Sequence, residues 1–157
     1  MVGVRRPGLI ADTTAWGNSN VDGLSHWLDR LARPMAGIER FAQGETSMRP
    51  QLTRLRAAGA DALLLVANAS EAAAIIRGMV TLGWKVPVVS HSGTSIGRFV
   101  ELAGIANTDG VLTLQTFSFF GPLSSKADAV LHAYHARSFV PWMSRGRVLA
   151  RATGDYT

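Results

Sequence analysis

Apolar residues along this chain follow two rhythms. From Ala62 through Leu63, Leu64, Leu65 and Val66 to Ala67 they run unbroken, stop at Asn68-Ala69-Ser70-Glu71, and then recur near every third or fourth position. A short unbroken run bounded by small polar residues predicts a strand buried on both faces, and the change of period predicts a helix directly behind it. The same alternation surrounds this segment. Residues 7–11, 38–41, 86–89 and 110–114 read as further strands. The first is followed by a helix capped by Asn18 or Ser19, carrying Val21, Leu24, Leu28 and Leu31 on one face and ended by Pro34. Ser47 reads as the cap of a helix with Pro50 in its first turn, Leu52, Leu55 and Ala58 facing inward, and Gly59 at its end. Ser70 reads as the cap of the helix behind the central strand, with Ala73, Ile76, Met79, Val80 and Leu82 along it and Gly83 closing it. A shorter helix is marked by Phe99, Val100 and Leu102, and another runs from Ser125 to about Phe139.

Strands alternating with helices of this length imply parallel βαβ units with right-handed crossovers. The expected fold is α/β, a three-layer Rossmann-like lobe whose mostly parallel central sheet is flanked by helices. It occupies residues 1–142, and residues 143–157, with helix formers but no amphipathic pattern, form a weakly ordered tail.

In such a sheet ligands collect outside the carboxyl ends of the strands. Three ends lie on that side: Thr13 to Trp16, Ala67 to Ser70, and Ser90 to Ser92. They offer an aromatic plate at Trp16, an amide at Asn68 with Ala67 and Ala69 beside it, the imidazole of His91, the hydroxyl of Ser92, and helix N-termini whose free N–H groups favour an anion. The set suits a small polar solute.

Composition narrows the classes. With 47% hydrophobic and 17% charged residues the 157-residue chain is that of a globular domain, and its longest apolar run is far too short to span a bilayer. The formal charge of +5 comes almost wholly from arginines that are scattered rather than interleaved with aromatics, so a nucleic-acid surface is not expected. The absence of cysteine excludes thiol catalysis, disulfides and cysteine-bound zinc. No secretory h-region lies between Arg6 and Asp12, so the chain as it stands is expected to be cytoplasmic.

No cofactor is expected. Asp12-Thr13-Thr14-Ala15-Trp16-Gly17 replaces the glycine-rich dinucleotide fingerprint, and no phosphate-binding loop follows any strand. His91 and Ser92 are adjacent but lack the glycines of a nucleophile elbow. His132 and His135 lie three apart with no third metal ligand nearby, which reads as a surface helix. Asp12 reads as a cap or turn acid. An enzyme on this fold would have to work with Asp12 and His91 as its titratable pair; the chain is not expected to be one.

The segments Asp12-Thr13-Thr14-Ala15-Trp16-Gly17, Glu39-Arg40-Phe41-Ala42-Gln43-Gly44-Glu45-Thr46, residues 52–63 and Leu82-Gly83-Trp84-Lys85-Val86-Pro87-Val88-Val89 resemble, in order and spacing, the second lobe of branched-chain amino-acid type solute-binding proteins of ABC importers. The resemblance runs from about Arg6 to about Trp142. It implies a periplasmic protein that binds a small solute between two Rossmann-like lobes and delivers it to a transporter permease. It also implies that Trp16 stacks on the solute, that Ala67, Asn68 and Ala69 supply a second contact, and that His91 and Ser92 occupy the loop where the family often carries an acid for the ligand's ammonium group. Ser92 in that place points away from a standard amino acid and toward an amide, a keto acid or an aromatic carboxylate. The resemblance places another lobe before residue 1 and further elements after Trp142, so the chain is expected to be a truncated or isolated lobe that binds weakly alone. The face exposed by the missing lobe is a candidate homodimer contact. The ligand-sensing domain of a transcription regulator shares the architecture and is the alternative, although no helix-turn-helix is visible.

Overall fold

The computed structural model describes residues 3–95, 98–115 and 124–137. The tail from 143 onward, the segment 116–122 and the expected last turn of the final helix lie outside the described residues.

Five strands form one parallel sheet: β1 (Pro7–Asp12), β2 (Gly37–Phe41), β3 (Ala62–Val66), β4 (Val88–Ser90) and β5 (Leu112–Thr113), in the spatial order β2-β1-β3-β4-β5. The helices between them are α1 (Ala15–Arg30), α2 (Arg49–Ala57), α3 (Ala69–Thr81) and α4 (Phe99–Ala103), and α5 (Ser125–Arg137) follows the last strand. β1 is flanked on both sides, with Leu9 opposite Ile38 of β2 and Leu64 of β3. The α/β lobe expected from the alternating pattern is what the chain forms.

The chain leaves β1 toward one edge and every later strand steps toward the other, so right-handed crossovers put α1 on one face and α2, α3 and α4 on the opposite one. The second face carries the main core. There Ile10, Leu63 and Leu65 from the sheet meet Leu52 and Leu55 of α2, Ile75 and Met79 of α3, and Phe99 and Val100 of α4. On the other face Leu9, Ala11 and Val66 meet Trp16, Val21 and Leu24 of α1. Alternation along the strands brings Leu64, Val89 and Leu112 to this same face in adjacent register, and Leu112 is 40% exposed.

Several boundaries differ from the sequence expectation, each for a local reason. α1 is capped four residues before Asn18, by Thr14, which accepts a hydrogen bond from the Gly17 amide at 3.2 Å. It ends before Leu31, which is therefore 65% exposed rather than core. The stop is set within the helix and not by Pro34. Arg33 N–H donates to Leu28 O and Ala32 N–H to Asp29 O, the paired bonds of a Schellman motif, with Ala32 at φ 51° in the left-handed position that favours glycine. Ala32→Gly is therefore expected to raise stability by about 0.5–1 kcal/mol, read as a higher denaturant midpoint with an unchanged slope. α2 follows Met48, buried under it, and Ser47 does not cap it. β4 starts at Val88, since Pro87 has no N–H for the ladder and contributes only its carbonyl, which accepts from Leu63 N–H at 2.8 Å.

The start of β3 is tied to the entry of β1. Both oxygens of Asp61 accept main-chain bonds, from Arg5 at 2.7 Å and Arg6 at 3.0 Å, and these, led by the Arg5 amide, hold the carboxyl below the usual carboxylate range.

Candidate functional site

The order β2-β1-β3 places a change of chain direction between β1 and β3, and the loops leaving the two strands diverge there. An open cleft of about 400 Å³ lies at this edge. Asp12, Thr14 and Trp16 line it from the end of β1, Gln43 from beyond β2, Asn68 from beyond β3, and Ser92 and Gly93 from beyond β4.

Asp12 is the last residue of β1 and is 3% exposed. Its Oδ1 accepts from the Thr14 amide at 2.9 Å and from the Thr14 hydroxyl, so the carboxylate shapes the turn that starts α1. Trp16 is thereby set in the first turn of the helix. Its indole and the His91 ring make a T-shaped contact, centroids 5.1 Å apart, which braces the plate. Behind it, Arg40 of β2 donates to the Asp12 carbonyl and to Asn18 Oδ1.

Asn68 caps α3 by position only. Its backbone is extended, at φ −76° and ψ 171°, and its side chain makes no capping hydrogen bond, which leaves the amide exposed at the cleft. Ala67 is fully buried, and its carbonyl oxygen would stand 2.5 Å from a Cβ placed on Gly93. Glycine is thus required for the β4 loop to lie against the end of β3. That loop is a single 3-10 turn, Ser92–Ser95, pinned to the sheet by hydroxyls: Thr94 Oγ1 is 2.8 Å from Ser90 Oγ and 3.1 Å from Thr113 Oγ1. Ser92 Oγ is 3.0 Å from His91 Nδ1. Gln43 is held by its neighbour, since Gly44 N–H donates to Glu71 Oε1 at 3.0 Å and Glu71 is buried in the first turn of α3.

Of the six residues proposed from sequence, Trp16, Asn68 and Ser92 come together in the cleft. Ala67 lies beneath it as packing, Ala69 is the first residue of α3 and packs toward the main core, and His91 supports Trp16 from the side. Asp12, Thr14, Gln43 and Gly93 belong to the lining and were not among the six. Their signal in the sequence was position alone, each lying at or beyond the carboxyl end of a strand. His132 sits on exposed α5, 3.7 Å from Asp128, and among the described residues no group of three metal-ligating side chains is assembled. No described helix is long and apolar enough to cross a membrane.

Residues 1–145 match the family model for periplasmic binding proteins. A periplasmic binding protein type 1 from Bordetella pertussis is 28% identical and superposes with a TM-score of 0.80 over 86% of this chain and 36% of its own. A leucine-binding protein from Thermotoga maritima, 16% identical, gives 0.76 over 87% and 39%. An amino-acid ABC transporter substrate-binding protein from Pseudomonas fluorescens, also 16% identical, gives 0.72 over 88% and 37%. This chain thus spans well under half the length of each of these proteins. No curated protein matches it.

Proposed function

The chain belongs to the periplasmic binding protein family, and on that footing we propose that it is a ligand-binding lobe of an extracellular solute-binding protein of an ABC importer, taking a small amino-acid-like, amide or carboxylate solute. The observation that carries this reading is the convergence of four strand ends on one cleft, with a fixed aromatic plate on one side and polar groups with unspent hydrogen-bonding capacity on the other. Trp16 provides an apolar wall, and Asn68, Gln43 and Ser92 provide donors and acceptors that orient a polar ligand. No step of bond making is required of this arrangement, and the protein's work is to hold and release.

The cleft is open on one side. Most of a solute's surface is buried, and most affinity gained, when a second body closes over it, and such closure is also what a permease can sense. The chain by itself is therefore expected to bind with Kd of about 1 mM or weaker, roughly 4 kcal/mol. The full-length protein would work in the periplasm with a membrane permease as its partner.

Proton–nitrogen correlation spectra of the chain titrated with leucine, glutamine, 2-ketoisocaproate and benzoate would test this. The reading expects at least one of them to move the Trp16 indole N–H and the Ser92 and Gly93 amides together. Trp16→Ala is expected to weaken that binding about tenfold, given what an aromatic contact contributes beyond its area together with the area itself. Titrations in which none of the four solutes moves these signals would overturn the assignment.

A further inference from the structure

The end of the sheet opposite the cleft has a different chemistry. α1 starts at the cleft and runs back along the sheet, so its last turn and the loop to β2 lie at the amino ends of the strands, together with the entry to β1 and the turns before β3, β4 and β5. These stretches carry Arg5, Arg6, Arg30, Arg33, Arg56 and Lys85, all exposed, against Asp29, Asp61 and Asp109. None of the ion pairs formed by described residues includes any of the six cations. Asp61 stands beside Arg5, with both its oxygens taken by the main-chain amides of Arg5 and Arg6.

Two large apolar side chains stand among these charges. Trp27 is 59% and Leu31 65% exposed, and four residues apart at the end of α1 they lie on the same side of the helix. The Arg30 guanidinium sits over the Trp27 ring, 5.2 Å from its centroid. Arg33 Nη1 donates to Val4 O at 2.6 Å, which draws the loop behind α1 against the stretch that holds Arg5 and Arg6. Trp27, Leu31 and four arginines thus form one continuous patch. Cations near helix carboxyl ends offset the helix dipole, and Arg56, donating to Leu82 O, fits that role. It does not account for an indole and a leucine left in water beside them. That combination is what a bilayer interface takes up: the indole at headgroup level, the leucine below it, and guanidinium groups among anionic headgroups. A nucleic acid would stack on a bare aromatic face and has no use for Leu31.

We propose that this end of the lobe is a docking surface for an anionic phospholipid bilayer, with Trp27 and Leu31 entering the interface and Arg5, Arg6, Arg30 and Arg33 meeting its headgroups. The contact is peripheral and reversible, and it goes beyond the solute reading. The cleft lies at the other end of six-residue β1, about 20 Å away, and stays open while the lobe is docked.

The probes are vesicles of phosphatidylcholine alone and of phosphatidylcholine with about 30% phosphatidylglycerol, sedimented with the full chain. Binding is expected to the anionic vesicles only, and about 0.5 M salt is expected to release it. Arg5→Gln/Arg30→Gln is expected to weaken it about thirtyfold, whereas Arg49→Gln/Lys126→Gln, with the same loss of charge at exposed positions elsewhere, is expected to change it less than about threefold. Phosphatidylglycerol brominated in its acyl chains is expected to quench part of the tryptophan fluorescence, and Trp27→Phe is expected to keep the binding and remove the quenching. Equal sedimentation with both vesicles, equal losses in the two double variants, or quenching that survives in Trp27→Phe would each overturn the proposal. So would binding to a DNA oligonucleotide or to polyglutamate as tight as to the vesicles and indifferent to Trp27→Gln/Leu31→Gln, which would make the patch a site for soluble polyanions. Should a variant not fold, absence of quenching in the native chain decides against the proposal and its presence with release by salt decides for it. The solute titrations read the opposite end of the molecule, so either reading can fail while the other stands.

Discussion

Gly17→Ala is expected to be among the most damaging single substitutions in this protein, costing about 3 kcal/mol and abolishing the response of the cleft to solutes. Alanine is the better helix former by about 1 kcal/mol, so propensity alone predicts the opposite sign. Geometry decides it. A Cβ on Gly17 would collide with the carbonyl oxygen and Oδ1 of Asp12, neither of which can yield: the first is strand backbone, and the second is held by Thr14. The first turn of α1 would have to lift off the end of β1, losing the bond from Gly17 N–H to Thr14 Oγ1 and displacing Trp16. Overpacking of this kind costs about 1–3 kcal/mol and loss of a cap about 1 more. The measurement is guanidinium unfolding with the solute titration alongside; a midpoint at or above that of the native chain would show that the close approach of helix and strand is not needed.

Leu52→Ala is the second large effect, with a loss of about 3 kcal/mol. Leu52 is fully buried on α2 between the sheet and α3, and its Cδ1 lies 2.7 Å from where a Cβ on Gly78 would stand. Truncation therefore opens a cavity where α2 packs against α3 at Gly78. The same contact makes a second measurement informative. Gly78→Ala alone is expected to destabilise by crowding Leu52, and in the double variant the new methyl enters the space the leucine vacated, so the two losses should sum to less than their separate values by about 1 kcal/mol or more. Additive losses would mean that the Leu52 cavity collapses in some other way.

Much of the fold was legible because a parallel sheet covered on both faces needs unbroken apolar strands. The run from Ala62 to Ala67 could serve as little else, and its last residue, predicted as strand, in fact leads into α3. β5 was visible at 110–114 but is only two residues long as a ladder, and its Leu112 and the neighbouring Leu114 are 40% and 65% exposed. The start of α1 was misjudged because Thr14 and Asn18 are both good caps, and the choice between them is made by Asp12 at the end of the strand before, a contact that residue type does not reveal. The site was half legible for a related reason. Trp16, Asn68 and Ser92 announce themselves by chemistry, whereas Gln43 looked like a turn residue and Asp12 like a turn acid. Asp12 is indeed that, through the oxygen that holds Thr14, and it lines the cleft as well.

The placement of β1 in the interior of the sheet has a consequence for how the protein is made. Pro7 pairs with Ala62 and Gly8 with Gly37, so during synthesis this strand gains its first neighbour after about thirty further residues and its second after more than fifty. Until then an apolar stretch around Leu9 and Ile10 travels unpaired on the nascent chain. Contacts so distant in sequence make folding slow and leave such a segment open to association with other chains. Variants that delay β3, by weakening the turn between Ala58 and Asp61, should therefore lower the soluble yield more than they lower equilibrium stability.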